Sequence, residues 1–185
     1  LAAIGLATGL VYLWQSFGLG LLSGVRILVA NRTGAGQPAE GRAYTWTGLG
    51  VALVLGIGVA GLAPIGPWVF RWLGGSDEVV PLASGYYAWR TVAAPASFLF
   101  AALVGSFQGR GDTRTPMVAN LIANGVNLVV DPVLIFGIGP IPAYGIDGAG
   151  MGCGLGVLSG LGFIAWRARG TLGRPVGVGR EHLRA

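Results

Sequence analysis

The sequence predicts an all-α fold, a polytopic membrane bundle of about five spanning helices, and three observations carry that expectation. Hydrophobic residues make up 53% of the chain and charged residues 10%, with a mean hydropathy of +0.68, whereas a soluble domain carries about 25% charged residues. Uncharged runs cover Leu1–Val25, Ala43–Phe70, Thr91–Gly109, Thr115–Val130 and Gly148–Trp166. Each approaches or exceeds the roughly 17–25 residues a helix needs to cross the hydrocarbon. Barrel strands are excluded, because they need about ten alternating residues and these runs do not alternate. The third observation is the placement of arginine, the sole source of the +5 net charge since the chain has no lysine. Arg32 and Arg42 fall between the first two runs, Arg71 alone after the second, Arg110 and Arg114 before the fourth, and none before the fifth. Arg167, Arg169, Arg174, Arg180 and Arg184 follow the last. This rich–poor alternation puts the first and third loops and the tail in the cytoplasm and the N-terminus outside. Arginines between spans orient a membrane protein, so nucleic acid is not an expected partner.

The expected spans are 4–30, 43–65, 79–107, 116–136 and 148–166, with a basic tail over 167–185. The chain opens at Leu1 within an apolar run and without Met. With an odd number of spans beginning outside, it reads as a piece of a longer protein with at least one preceding helix. Glycine occurs 35 times, and without a period of three this points to close helix packing in lipid rather than collagen. The single Cys153 lies in an apolar run, so neither a disulfide framework nor a cysteine metal cluster is expected.

In the first span Arg26 lies near the cytoplasmic end and can snorkel to the headgroups. The loop NRTGAGQPAEGR turns on Gly34, Gly36 and Pro38; its Gly-x-Gly lacks the strand and lysine of a phosphate-binding loop. The second span carries Gly48, Ala52, Gly56 and Ala60 every fourth residue, a ladder for close backbone approach. Pro64, Pro67, Trp68, Phe70 and Trp72 then form an aromatic interface segment. In the third span Tyr86 and Arg90 share a face one turn apart. Arg90 either snorkels or pairs with Asp77, Glu78 or Asp147 at the outer edge, or faces a pocket near Asp131. The loop QGRGDTRT places Asp112 between Arg110 and Arg114, where it shapes the turn. Its Gly109-x-Gly111-Asp112 also matches an intramembrane aspartyl protease motif, but that chemistry needs two carboxylates meeting inside the membrane, and Asp131 is nearly a bilayer away. In the fifth span Gly148, Gly152, Gly156 and Gly160 repeat every fourth residue, leaving one face of bare backbone for a neighbouring helix. The tail is basic and suits anionic lipid heads. It holds His182, the only histidine, so a histidine-based site within the spans is excluded.

The fourth span is the chemical centre. Asn120, Asn124, Asn127 and Asp131 are spaced by four, three and four, which at about 100° per residue sets them on one face. With Pro116 at a first helical position and Thr115 as a possible cap, Asp131 lies about 22 Å along the axis. A carboxylate at that depth faces a partner, a bundle interior or an ion path. Pro132 has no N–H and frees the Leu128 carbonyl. Carboxylate, Asn127 amide oxygen and free carbonyl are the oxygen ligands a hard cation takes, so a proton or a small cation such as Na⁺ is a candidate ligand of Asp131 and Asn127. The alternative is interhelical glue beside an ordinary proline kink.

Gln108–Pro116 (QGRGDTRTP), Asn127-x-x-x-Asp131 followed by VLIFG, and the loop Ala35–Arg42 together resemble the multidrug and toxic compound extrusion (MATE) transporters, most closely their DinF-like bacterial branch. The resemblance runs from about Gly24 to Gly160. It implies a fold of twelve helices in two lobes, of which this chain would supply the second to sixth helices of the N-terminal lobe. It also implies export of organic cations against inward H⁺ or Na⁺, no cofactor, no enzymatic activity, and a multi-pass place in the bacterial inner membrane. The residues matching Asp131 and Asn127 belong to a cation-coupling cluster in relatives, and a tyrosine near Tyr86 lines the same cavity, with Asn120, Asn124 and Arg90 as further lining candidates. That cluster also uses a carboxylate on a first helix that this sequence does not contain. A lipid-linked precursor flippase of the same superfamily is the alternative, and it would favour a more cationic groove than Arg90 alone supplies.

Overall fold

The computed structural model describes residues 2–173. Helix α1 (Ala2–Gly34) is followed by α2 (Pro38–Ala60), a 3₁₀ turn (Ala63–Ile65), α3 (Gly66–Trp72), α4 (Val79–Val92), α5 (Ala94–Gly109), α6 (Arg114–Phe136) and α7 (Ile146–Leu172). Beyond helices and turns the described residues hold only an isolated bridge between Ile138 and Ile141. Four stretches are long and apolar enough to cross a membrane, and the bent pair α4–α5 makes a fifth. The protein is an all-α membrane bundle.

The connection expected between the first two spans is largely helical. Pro38 stands in the first turn of α2, where its fixed φ suits a helix start and its missing N–H costs nothing. Only Ala35–Gln37 remain as the turn, with Gly36 at φ +74°. Arg32 then reaches across it, donating to Gln37 Oε1 at 3.1 Å and pairing with Glu40 at 3.2 Å. At the other end α2 stops at Ala60 rather than Ile65, and the Pro64–Trp72 segment forms the 3₁₀ turn and α3. Phe70 is buried edge-on against Tyr87 at 5.7 Å, while Trp68 and Trp72 are exposed, as an interface segment requires.

The expected continuous helix over 79–107 is two helices, bent by 45° at Ala93. Pro95 is the cause. It sits in the first turn of α5, cannot donate to the Thr91 carbonyl, and so makes a new helix start cheaper than a continued one. Gly56 of α2 lies directly against the Pro95 ring, with 2.8 Å from its would-be Cβ to Pro95 N.

Helix α6 packs almost entirely on α7. A Cβ at Gly148 would lie 2.5 Å from Leu134 O, at Gly156 2.7 Å from Ala123 O, and at Gly160 2.9 Å from Ala119 O; at Gly152 it would strike the Asp131 carboxylate. The four-residue glycine ladder is therefore the seam of an antiparallel pair, and only bare backbone allows that approach. Helix α7 continues to Leu172, so Arg167 and Arg169 are helical rather than part of the tail; Arg174, Arg180, His182 and Arg184 lie outside the described residues. Two apolar clusters hold the rest, one around Val11, Trp14 and Phe98 and one around Leu103, Phe107, Ile164 and Leu172.

Candidate functional site

Asn127 and Asp131 are one turn apart on α6, and that spacing closes a hydrogen bond in which Asn127 Nδ2 donates to Asp131 Oδ1 at 2.9 Å. Both are half-buried. The carboxylate occupies the slot left by Gly152, and the Asn127 amide also reaches Cys153 Sγ at 3.7 Å. Tyr86 on α4 is half-buried, with Arg90, Thr8, Tyr12 and Cys153 in its wider polar neighbourhood. The result is a polar cluster of Asn127, Asp131 and Cys153 at the α6–α7 seam. Among the described residues no direct hydrogen bond joins Tyr86 or Arg90 to Asp131.

Arg90 does not pair at the outer edge. The one ion pair among the described residues is Arg32–Glu40, and Asp147 instead seats its carboxylate over Gly85. Arg90 is half-buried and its Nε is buried with no hydrogen-bond partner. Asn120 and Asn124 lie on the exposed part of α6, and Asn120 Nδ2 donates to Pro116 O at 2.8 Å.

As a cation site the donor set is small. Asp131 supplies a carboxylate, Asn127 an amide, and Pro132 frees the Leu128 carbonyl; no group of three His, Cys, Asp or Glu converges among the described residues. Hard divalent cations take about six oxygens, more than this chain offers, whereas a proton needs only the carboxylate.

Two features escaped the sequence pattern. Cys153 sits in an apolar run, and its place beside Asn127 follows from the α6–α7 register, which spacing within one helix does not reveal. At the arginine-rich end, Arg110 Nη2 donates to Ser106 Oγ at 2.6 Å and to Thr45 Oγ1 at 3.2 Å, tying α5 to α2 through two buried hydroxyls. Burial pushes the Arg110 guanidinium below its ordinary pKa, and the nearby Arg42 charge adds to this. Asp112, not Thr115, caps α6: its carboxylate accepts the Thr115 hydroxyl at 2.6 Å and the Thr115 N–H at 3.0 Å. Those two bonds hold the Asp112 carboxyl below the usual carboxylate range.

Fold and site together define a polytopic membrane protein with a polar cluster at the seam of α6 and α7. The chain belongs to the MatE family, whose pattern matches residues 1–133. It is 30% identical to the FAD transporter of Shewanella oneidensis over 80% of this chain and 33% of that protein. It is 35% identical to a probable multidrug resistance protein NorM of Synechocystis over 80% of this chain and 32% of the relative. Among solved structures, an outward-facing multidrug resistance MATE family transporter of the MOP superfamily matches 99% of this chain with 42% of its own, at 26% identity and a TM-score of 0.87. A MATE in complex with MaD5 matches 100% of this chain with 43% of its own, also at 26% identity and a TM-score of 0.87. The chain spans about a third of the length of the curated relatives it matches. These relatives are named as transporters and multidrug resistance proteins, so the protease reading has no support among them.

Proposed function

We propose that this chain is part of the N-terminal lobe of a cation-coupled antiporter that exports drug-like organic cations across the bacterial inner membrane. In this reading Asp131 is the coupling carboxylate, Asn127 orients it, and Tyr86 lines the same cavity. The observation that supports it most is the setting of Asp131: a carboxylate within a spanning helix, about one and a half turns before its end at Phe136, held by one amide and given room by a glycine on the neighbouring helix. Binding of H⁺ or Na⁺ cancels its charge, and release restores a negative cavity that attracts an organic cation. Ion and drug then compete electrostatically without sharing one atom.

The test is efflux by the full-length parent in proteoliposomes, with imposed H⁺ and Na⁺ gradients compared. Drug movement accelerated by an inward H⁺ gradient supports the proposal. Movement indifferent to both gradients overturns it.

A further inference from the structure

We propose that the groove between α2, α5 and α7 binds an anionic phospholipid of the cytoplasmic leaflet, with an acyl chain along its apolar walls and the phosphate at Arg169 and Arg42. The site lies apart from the Asp131 cluster and does not depend on the transport reading. The groove encloses about 450 Å³, a volume within the range of small-molecule pockets. Leu49 of α2, Leu99 and Leu103 of α5, and Leu161 and Ala165 of α7 line it. Leu49, Leu161 and Ala165 pack against the buried cluster of Leu103, Phe107 and Ile164, so the fold itself forms the walls. On α7, Leu161 and Ala165 follow Gly160 and stand about 100° and 140° round the helix from the glycine seam. The groove and the Asp131 cluster therefore use different faces of α7.

The groove changes character along the membrane normal. Arg169 and Trp46 line its arginine-rich end, which the positive-inside rule makes cytoplasmic. From Leu161 to Arg169 the helix advances about 12 Å towards that side. Arg42 precedes Trp46 by one turn on the same face of α2, again on the cytoplasmic side. Arg110, just past α5, donates to Thr45 beside Trp46 and lies close enough to Arg42 for the two charges to repel. Three helices thus bring guanidinium groups to one end of an apolar groove. The acidic side chains of that end among the described residues are engaged, Glu40 with Arg32 and Asp112 at the cap of α6. Apolar walls towards the bilayer centre and cations at headgroup depth match the order of a phospholipid, and basic pockets between helices on the cytoplasmic side suit anionic headgroups. A phosphodiester offers Arg169 paired acceptor oxygens, and Trp46 suits the interface depth at which indole rings concentrate.

The experiment places the full-length parent in nanodiscs of dioleoyl phosphatidylcholine with a minority of dioleoyl phosphatidylglycerol, two lipids with the same acyl chains. Photoreactive benzoylphenylalanine is introduced at Leu161 and irradiated, and mass spectrometry identifies what it captures. The expected result is phosphatidylglycerol captured at least about fivefold above its share of the bilayer, the factor that one basic residue near the membrane surface supplies. That enrichment should fall in Arg169→Gln and vanish in the double variant Arg42→Gln, Arg169→Gln. Capture of the two lipids in bulk proportion overturns the inference, as does an enrichment unchanged in the double variant. Capture of another segment of the parent also overturns it, because the groove is then a protein interface. If the benzoylphenylalanine variant does not accumulate, the melting temperature of the unlabelled parent decides. Phosphatidylglycerol should raise it more than phosphatidylcholine does, and the double variant should lose that difference. An equal shift by both lipids, or a difference that survives the double substitution, overturns the inference.

Discussion

Asp131 depends on the residue opposite it. Gly152 leaves the space its carboxylate fills, so even one methyl group there displaces the side chain from Asn127. Gly152→Ala in the full-length parent is expected to destabilise by about 1–3 kcal/mol, the usual range for overpacking, and to lower the detergent melting temperature accordingly. An unchanged melting temperature would mean that the α6–α7 seam can open at no cost. A second prediction concerns Asp112. Its hydrogen bonds to Thr115 cap α6, so Asp112→Ala should cost about 1 kcal/mol at pH 7. The folded-state carboxyl is held below its ordinary value, so its stabilising contribution is present above the unfolded-state value of about 3.9 and is lost as pH falls through the lower folded value. The gap between wild type and variant should therefore narrow below about pH 4. A gap that stays constant with pH would show that the Asp112 charge contributes nothing to the cap.

Helices α6 and α7 form one structural unit because every fourth residue of α7 from Gly148 to Gly160 is glycine, and those glycines meet Leu134, Asp131, Ala123 and Ala119 in turn. Gly156→Leu would drive a branched side chain into the Ala123 carbonyl and the Asn127 Cβ, at 2.7 and 3.1 Å from the ideal Cβ position. Folded yield in detergent should drop severalfold, and a yield equal to wild type would contradict the packing. This seam was legible in the sequence, because a four-residue glycine period has few other uses in lipid. The 45° bend at Ala93 was not. Hydropathy runs unbroken through it, and Pro95 is as compatible with a kinked single helix as with a restart. The asparagine stripe was legible only as a face. Periodicity grouped Asn120 and Asn124 with Asp131, but α7 narrows the shared surface so that Asn127 turns to the seam and the other two remain exposed. The Asn127–Asp131 bond followed from one-turn spacing, whereas Cys153 and the buried hydroxyls under Arg110 depend on helix pairings that single-helix patterns cannot encode.

Over the whole molecule, arginines gather where α1, α5 and α7 end and α2 and α6 begin, and the opposite end carries the aromatic α3 and the Pro140–Pro142 connection. The positive-inside rule makes the first end cytoplasmic. Cysteines placed at exposed Gln37 and Ala143 in a cysteine-free parent should react with an impermeant maleimide from opposite sides of the membrane. Labelling of both from one side would overturn the orientation. In the proposed function Asp131 is the group whose charge is switched during transport. Asp131→Asn in the full-length parent retains the shape of the side chain and removes its titration, which makes gradient-driven efflux the most direct measurement. The predicted result is normal membrane insertion and folded yield, loss of efflux driven by the ion gradient, and drug movement that no longer responds to pH. Export at the wild-type rate with the wild-type pH profile would contradict the account.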